Sequence, residues 1–88
     1  MRIEVEQPDQ EELEEMGVFK WPVEEYDEEK FELYYDKTEL CFIIEGEATI
    51  VSEFDNLTVK AGDFVTLPAG LECVWDVDTA IRRHYTFE

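Results

Sequence analysis

Turn-forming residues recur about every eight to twelve positions along this chain, which leaves room for short strands and none for a long helix. Past Gly17 the punctuation is Pro22, an acidic loop at 27–29, Gly46, Asp55-Asn56, Ala61-Gly62-Asp63 and Pro68-Ala69-Gly70. Between these marks apolar residues alternate with polar ones at the period of a half-buried strand. The alternating sets are Phe19, Trp21 and Val23; Phe31, Leu33 and Tyr35; Ala48, Ile50 and Phe54; Leu57 and Val59; Cys73, Trp75 and Val77; and Ile81, Tyr85 and Phe87. Residues 39–45 and Phe64, Val65 and Leu67 supply two denser strands.

The N-terminal segment reads differently. Ile3 and Val5 alternate with Arg2, Glu4 and Glu6 as a first strand that Pro8 stops. Asp9 with Glu12 three positions later forms the signature of a helix start, Leu13 and Met16 give a thin apolar stripe, and Gly17 provides the stop. One helix of about two turns is therefore expected ahead of an all-β body. The 88 residues make one domain, spanning 1–88, near the lower limit for a self-sufficient core.

Charge narrows the range of partners. Against 7 basic side chains stand 24 acidic ones, a formal charge of −17, and 14 of the acids lie in residues 1–36. Such a field repels phosphate backbones and anionic lipid, so neither nucleic acid nor membrane is an expected partner. The plainest role of the acidic skin is solubility, with a salt-adapted host or a cationic partner as alternatives. No apolar stretch is long enough to cross a bilayer, and Arg2 and Ile3 lead into acids, unlike a secretion signal. With only Cys41 and Cys73, reduced thiols in a cytoplasmic protein are the simpler expectation.

Two spacings carry a resemblance. Six residues lie between Glu39 and Gly46, five between Gly62 and Pro68-Ala69-Gly70, and fifteen between Gly46 and Gly62. Together they resemble the ends of the paired motifs of the cupin superfamily. The resemblance implies a cupin double-stranded β-helix, a jelly-roll barrel, here with about nine to eleven short strands and one short N-terminal helix. Within that superfamily the segments around Trp21-Pro22, Tyr34-Tyr35, Gly70-Leu71, Cys73, Trp75 and His84-Tyr85 look like the small single-domain cupins grouped with ureidoglycine aminohydrolase and ethanolamine-utilisation cupins.

The departures from the motifs matter for chemistry. Where the family places its first two histidines this chain has Leu33 and Tyr35, or Glu32 and Tyr34, depending on the gap. The third histidine position is Cys73 and the final asparagine position is Val77, so Glu39 alone survives of the usual ligands. No metal cofactor is expected; if one binds, Glu39 and Cys73 are the positions that match the motif, too few for catalytic zinc.

Strand parity puts Glu39, Cys41 and Ile43 on one face and Cys73, Trp75 and Val77 on another. The resemblance turns both rows into the barrel. A pocket lined by Trp21, Tyr35, Cys41, Cys73, Trp75 and His84 around Glu39 is then expected to hold a small polar molecule. Parity sends His84 the other way if Ile81, Tyr85 and Phe87 face the core. An enzymatic alternative uses Glu39 as general acid or base in a hydrolase or isomerase. A further alternative treats the pocket as vestigial, with the barrel serving as a structural or partner-binding module and the cysteines as core packing. Glu39 is costly to bury alone, so it needs a partner such as Arg82, Arg83 or Lys20. Association into a homodimer through an outer edge or face is expected to relieve the small size.

Overall fold

The computed structural model describes residues 2–88. In chain order it contains β1 (Glu4–Glu6), α1 (Gln10–Met16), a 3-10 turn (Val18–Lys20), β2 (Val23–Tyr26), β3 (Lys30–Tyr34), β4 (Glu39–Ser52), β5 (Asn56–Lys60), β6 (Phe64–Leu67) and β7 (Glu72–Phe87). Every pairing is antiparallel. None of the helices among the described residues is long and apolar enough to cross a membrane.

Two long strands organise the barrel. β4 and β7 pair along nearly their whole length, from Glu39 opposite Phe87 to Ser52 opposite Cys73. The first half of β4 continues outward to β6 and then β1, while the second half of β7 continues to β2. The other halves of the same two strands pair with β5 and β3. One wall thus reads β1-β6-β4-β7-β2 and the other β3-β7-β4-β5, with two strands running through both. This is the jelly-roll arrangement the cupin resemblance implied, built among the described residues from seven strands where nine to eleven were expected, because each long strand does the work of two.

The bend between the walls lies at Gly46. Register shifts separate Ile43, Glu45, Glu47 and Ala48 from their partners on β7, and Gly46 sits at φ 94°. The odd-numbered Glu39, Cys41 and Ile43 face inward before the bend, and the even-numbered Ala48 and Ile50 face inward after it. A one-residue bulge flips the parity, so the same strand keeps its apolar side in the core on both walls.

Two apolar clusters result. The interior cluster holds Cys41, Ile43, Ala48, Ile50, Val59, Val65, Leu67, Leu71, Cys73, Trp75, Val77 and Ile81, with Ile3 and Tyr35. A smaller one on the outer face of β6 and β4 joins Leu13, Val18 and Phe64 to Trp21, Leu40 and Phe42. Phe64 and Val65, adjacent in sequence, are both buried because α1 and the 3-10 turn cover the back of β6.

The helix forms as its signals require. The Asp9 carboxylate accepts from the Glu12 amide at 2.9 Å, Glu12 reaches back to the Asp9 amide at 3.5 Å, and Gly17 ends the helix at φ 75°. The strand expected through Phe19 and Trp21 is instead the 3-10 turn, closed by bonds from Lys20 N to Gly17 O and Trp21 N to Val18 O at 3.0 Å each. Period two misled there: Val18 is the buried residue and Phe19 is exposed. The turn expected at Asp55-Asn56 lies slightly earlier, since Asn56 opens β5 and Ser52 caps Asp55 through a 3.0 Å bond from the Asp55 amide to Ser52 Oγ.

Candidate functional site

Inside the barrel the residues of most chemical interest sit on β2, β4 and β7. Glu39 begins β4 facing inward and is only 2% exposed. On β7 the inward parity of Ile81 and Tyr85 also carries Arg83, which is 2% exposed. Arg83 lies opposite Ile43 on one side and opposite Glu24 on the other. From there its arm reaches back so that Nη1 bonds the Glu39 carboxylate. Nη2 donates to Glu24 Oε1 at 2.9 Å and to the Tyr26 hydroxyl at 2.5 Å. The guanidinium rests on aromatic rings, with its carbon 4.6 Å from the centre of Tyr26, 5.2 Å from Tyr85 and 6.0 Å from Trp75. Behind it the Trp75 indole donates to the Tyr35 hydroxyl at 3.1 Å. Among the described residues, Arg83 Nε is the buried side-chain donor left without a partner.

Burial and charge set the protonation of this cluster. Burial pushes the Glu39 carboxyl above its ordinary value, against the downward pull of Arg83. Burial raises both tyrosine hydroxyls, Tyr26 and Tyr35, and the Glu39 charge adds to the rise. It also lifts the Cys41 thiol to about 12 and the Cys73 thiol to about 11, so both stay protonated and unreactive at neutral pH. Burial works against the Arg83 charge too, but the Glu39 carboxylate bonded to it more than compensates and keeps it cationic.

The sign for Glu39 follows from linkage. A carboxyl whose folded pKa exceeds its unfolded value contributes stability that is complete below the ordinary value of 4.5 and is lost as pH climbs through the raised one. Acidification from pH 7.5 to 5 is therefore expected to raise the melting temperature, helped by partial neutralisation of the −17 charge. Thermal melts across that range check it. Glu39→Gln should flatten the dependence, and a melting temperature that falls on acidification would refute the assignment.

Of the residues the sequence marked for the pocket, Glu39, Tyr35, Cys41, Cys73 and Trp75 do meet inside the barrel. Trp21 and His84 lie elsewhere than expected. Trp21 packs on Phe64 in the outer cluster, with ring centres 6.2 Å apart. The Trp21 carbonyl lies 3.0 Å from His84 Nδ1, and His84 turns outward against Phe19 at 5.7 Å. Sequence reading named Arg83 only as one of three cations available to Glu39, and missed Tyr26 and Glu24. Parity held the signal, because the alternation that turns His84 out turns Arg83 in.

Open space is found elsewhere. A groove of about 550 Å³ crosses β3, β7 and β4, bordered by residues 32–34, 51–53 and 72–74. Cross-strand register puts Glu32, Val74 and Val51 in one row, and Tyr34 with Glu72 in the next. These side chains point out of the barrel, opposite in parity to Leu33 and Cys73, which belong to the core. A second hollow of about 410 Å³, bordered by Glu53, Phe54, Gly70 and Glu72, shares two glutamates with the first.

The donor set does not fit a metal centre. Among the described residues no group of three or more His, Cys, Asp or Glu side chains is placed to hold a metal ion. Glu39, the one family ligand retained, is engaged by Arg83, whose positive charge opposes a second cation beside it.

Comparison with known proteins decides the family. The model of the EutQ-like cupin domain matches residues 13–85. The chain is an EutQ-like cupin. This cupin is similar in structure to a DUF861-family protein from Thermotoga maritima, with 38% identity and a TM-score of 0.96 over 99% of this chain and all of that one. It is also similar to the putative ethanolamine utilization protein Q of Salmonella typhimurium, at 25% identity and a TM-score of 0.67. The EutQ protein of Clostridium difficile, at 20% identity and a TM-score of 0.67, supports the fold alone. Both of those matches cover 74% of the cupin, which spans about half of either chain, 53% and 52%. None of the curated proteins matches the sequence.

Proposed function

We propose that this cupin binds a small polar molecule without a resident metal, and that it does so in the outer groove across β3, β7 and β4. The observation that carries this reading is the filling of the barrel by Arg83. Glu39 and Arg83 are each 2% exposed and bonded to one another, with the guanidinium packed on Tyr26, Tyr85 and Trp75, whereas the groove offers about 550 Å³ of open volume. Small-molecule sites typically span about 300–1,000 Å³ and combine apolar walls with a few polar groups. Val51, Val74 and Tyr34 supply such walls here, and Glu32, Glu53, Glu72 and Ser52 the polar groups.

A general acid or base must come within hydrogen-bonding reach of its substrate. Glu39, sealed and bonded to Arg83, is placed for a structural role; it ties the end of β4 to β7 and β2 through one cation. A second reading rests on Arg83 Nε, whose free N–H would suit a small acceptor admitted to the barrel.

Fragment binding followed by amide chemical shifts separates the two. The groove reading expects shifts clustered at residues 32–34, 51–53 and 72–74, lost in Val74→Trp and kept in Glu39→Gln. Binding that survives Val74→Trp and disappears in Glu39→Gln would place the ligand in the barrel instead.

A further inference from the structure

We propose that the groove takes an organic cation, an ammonium or guanidinium group on a short apolar or aromatic body. This rests on the groove reading above and specifies the chemistry of its occupant. The two cross-strand rows are unequal. Val51 and Val74 make an apolar shelf beside Glu32, and Tyr34, 63% exposed, lies opposite Glu72, with Glu53 bordering the same groove. The adjoining hollow extends the same surface past Phe54, 54% exposed, and keeps Glu53 and Glu72 in its wall.

An aromatic ring and a carboxylate side by side suit a cation twice over, through the ring's negative face and through the charge. Three carboxylates therefore border one groove, and among the described residues none of them takes part in an ion pair. The ion pairs formed elsewhere use Arg2, Arg82 and Arg83. No basic side chain borders the groove or the hollow. Its charge is thus open to a partner of opposite sign, and the −17 of the whole molecule draws cations toward it. Anions are repelled by the same field. A neutral guest gains the shelf and forgoes the charge.

The test uses three probes of one shape on the whole protein: phenethylammonium, 2-phenylethanol and 3-phenylpropionate. Amide shifts should concentrate at residues 32–34, 51–53 and 72–74 for the ammonium, with affinity roughly ten-fold above the alcohol, the yield of two or three exposed charge pairs. The carboxylate should leave those amides unmoved. Added salt should weaken the ammonium, and so should Glu72→Gln, a surface change that leaves the fold intact. Equal shifts from ammonium and alcohol in the groove would overturn the cationic class and leave the groove reading standing. Shifts from all three probes confined to other residues, or no shifts at all, would overturn both. Shifts of the groove amides on raising protein concentration without any probe would mean that a second copy covers the face, which also overturns the proposal.

Discussion

Arg83→Met is expected to cost this domain about 3–5 kcal/mol, because it strands the Glu39 carboxylate inside the barrel with no cation. The whole stability of a domain this size is about 4–13 kcal/mol, so the variant should be largely or partly unfolded at neutral pH. Replacing both partners, Glu39→Met with Arg83→Met, should recover most of the loss, since a buried ion pair exchanged for apolar groups of similar volume is close to neutral. Glu39→Gln should cost less than Arg83→Met, because Arg83 keeps its 2.9 Å bond to Glu24 and the three aromatic rings around it. Denaturant unfolding of the single and double variants measures the coupling directly. Lowering the pH should rescue Arg83→Met more than the parent, since protonation removes the stranded charge. A loss under about 1 kcal/mol for Arg83→Met would mean that the pair is solvated and that the barrel is open after all.

That expectation bears on the groove. If the interior cation is a strut, the barrel's filling is a stability device and ligand recognition moves to the outer surface. If Arg83 can be removed cheaply, the interior regains room for a guest and Glu39 regains a candidate role. The energetics of one arginine therefore weigh between the two functional readings before any ligand is known.

Much of the fold was legible because it depends on short-range rules. Asp9, Glu12 and Gly17 mark their helix through bonds made within one turn. Parity along uninterrupted strand segments grouped Glu39-Cys41-Ile43 and Cys73-Trp75-Val77, and the cupin resemblance turned both rows inward, where the structure has them. What escaped was decided by tertiary contact. Trp21 shares the strand-like period of Phe19 and Val23, yet the left-handed Gly17 turns the chain directly into a 3-10 turn against the back of β6. Arg83 was named as a possible partner of Glu39, but its choice over Arg82 and Lys20 escaped for a different reason: a charged side chain on a strand is ordinarily assigned to solvent, and only the nearby Glu39, Glu24 and Tyr26 make an inward arginine affordable. The groove was harder still, since it joins residues 32–34, 51–53 and 72–74 from three separated strands whose adjacency requires the topology.

Gly46→Ala is expected to be among the most damaging single-methyl changes in the chain, and Gly62→Ala provides its control. The two glycines have nearly the same backbone, φ 94° and φ 96°, so the conformational penalty of a side chain is nearly equal, about 1–3 kcal/mol. Their surroundings differ. A Cβ on Gly62 meets nothing within 4 Å, whereas one on Gly46 runs into the Ala80 carbonyl and comes within 2.7 Å of Thr79 O. Those are main-chain atoms in the middle of β7, paired to β4 on either side of the bend, and they cannot swing away as a side chain tip does. The contact adds to the shared penalty, so Gly46→Ala should exceed Gly62→Ala by at least about 2 kcal/mol and bring the total above about 3 kcal/mol. Denaturation midpoints of the two variants supply the comparison. Equal losses would show that β4 and β7 can part at the bulge without cost, and the close approach at Gly46 would then not be what joins the two walls into one barrel.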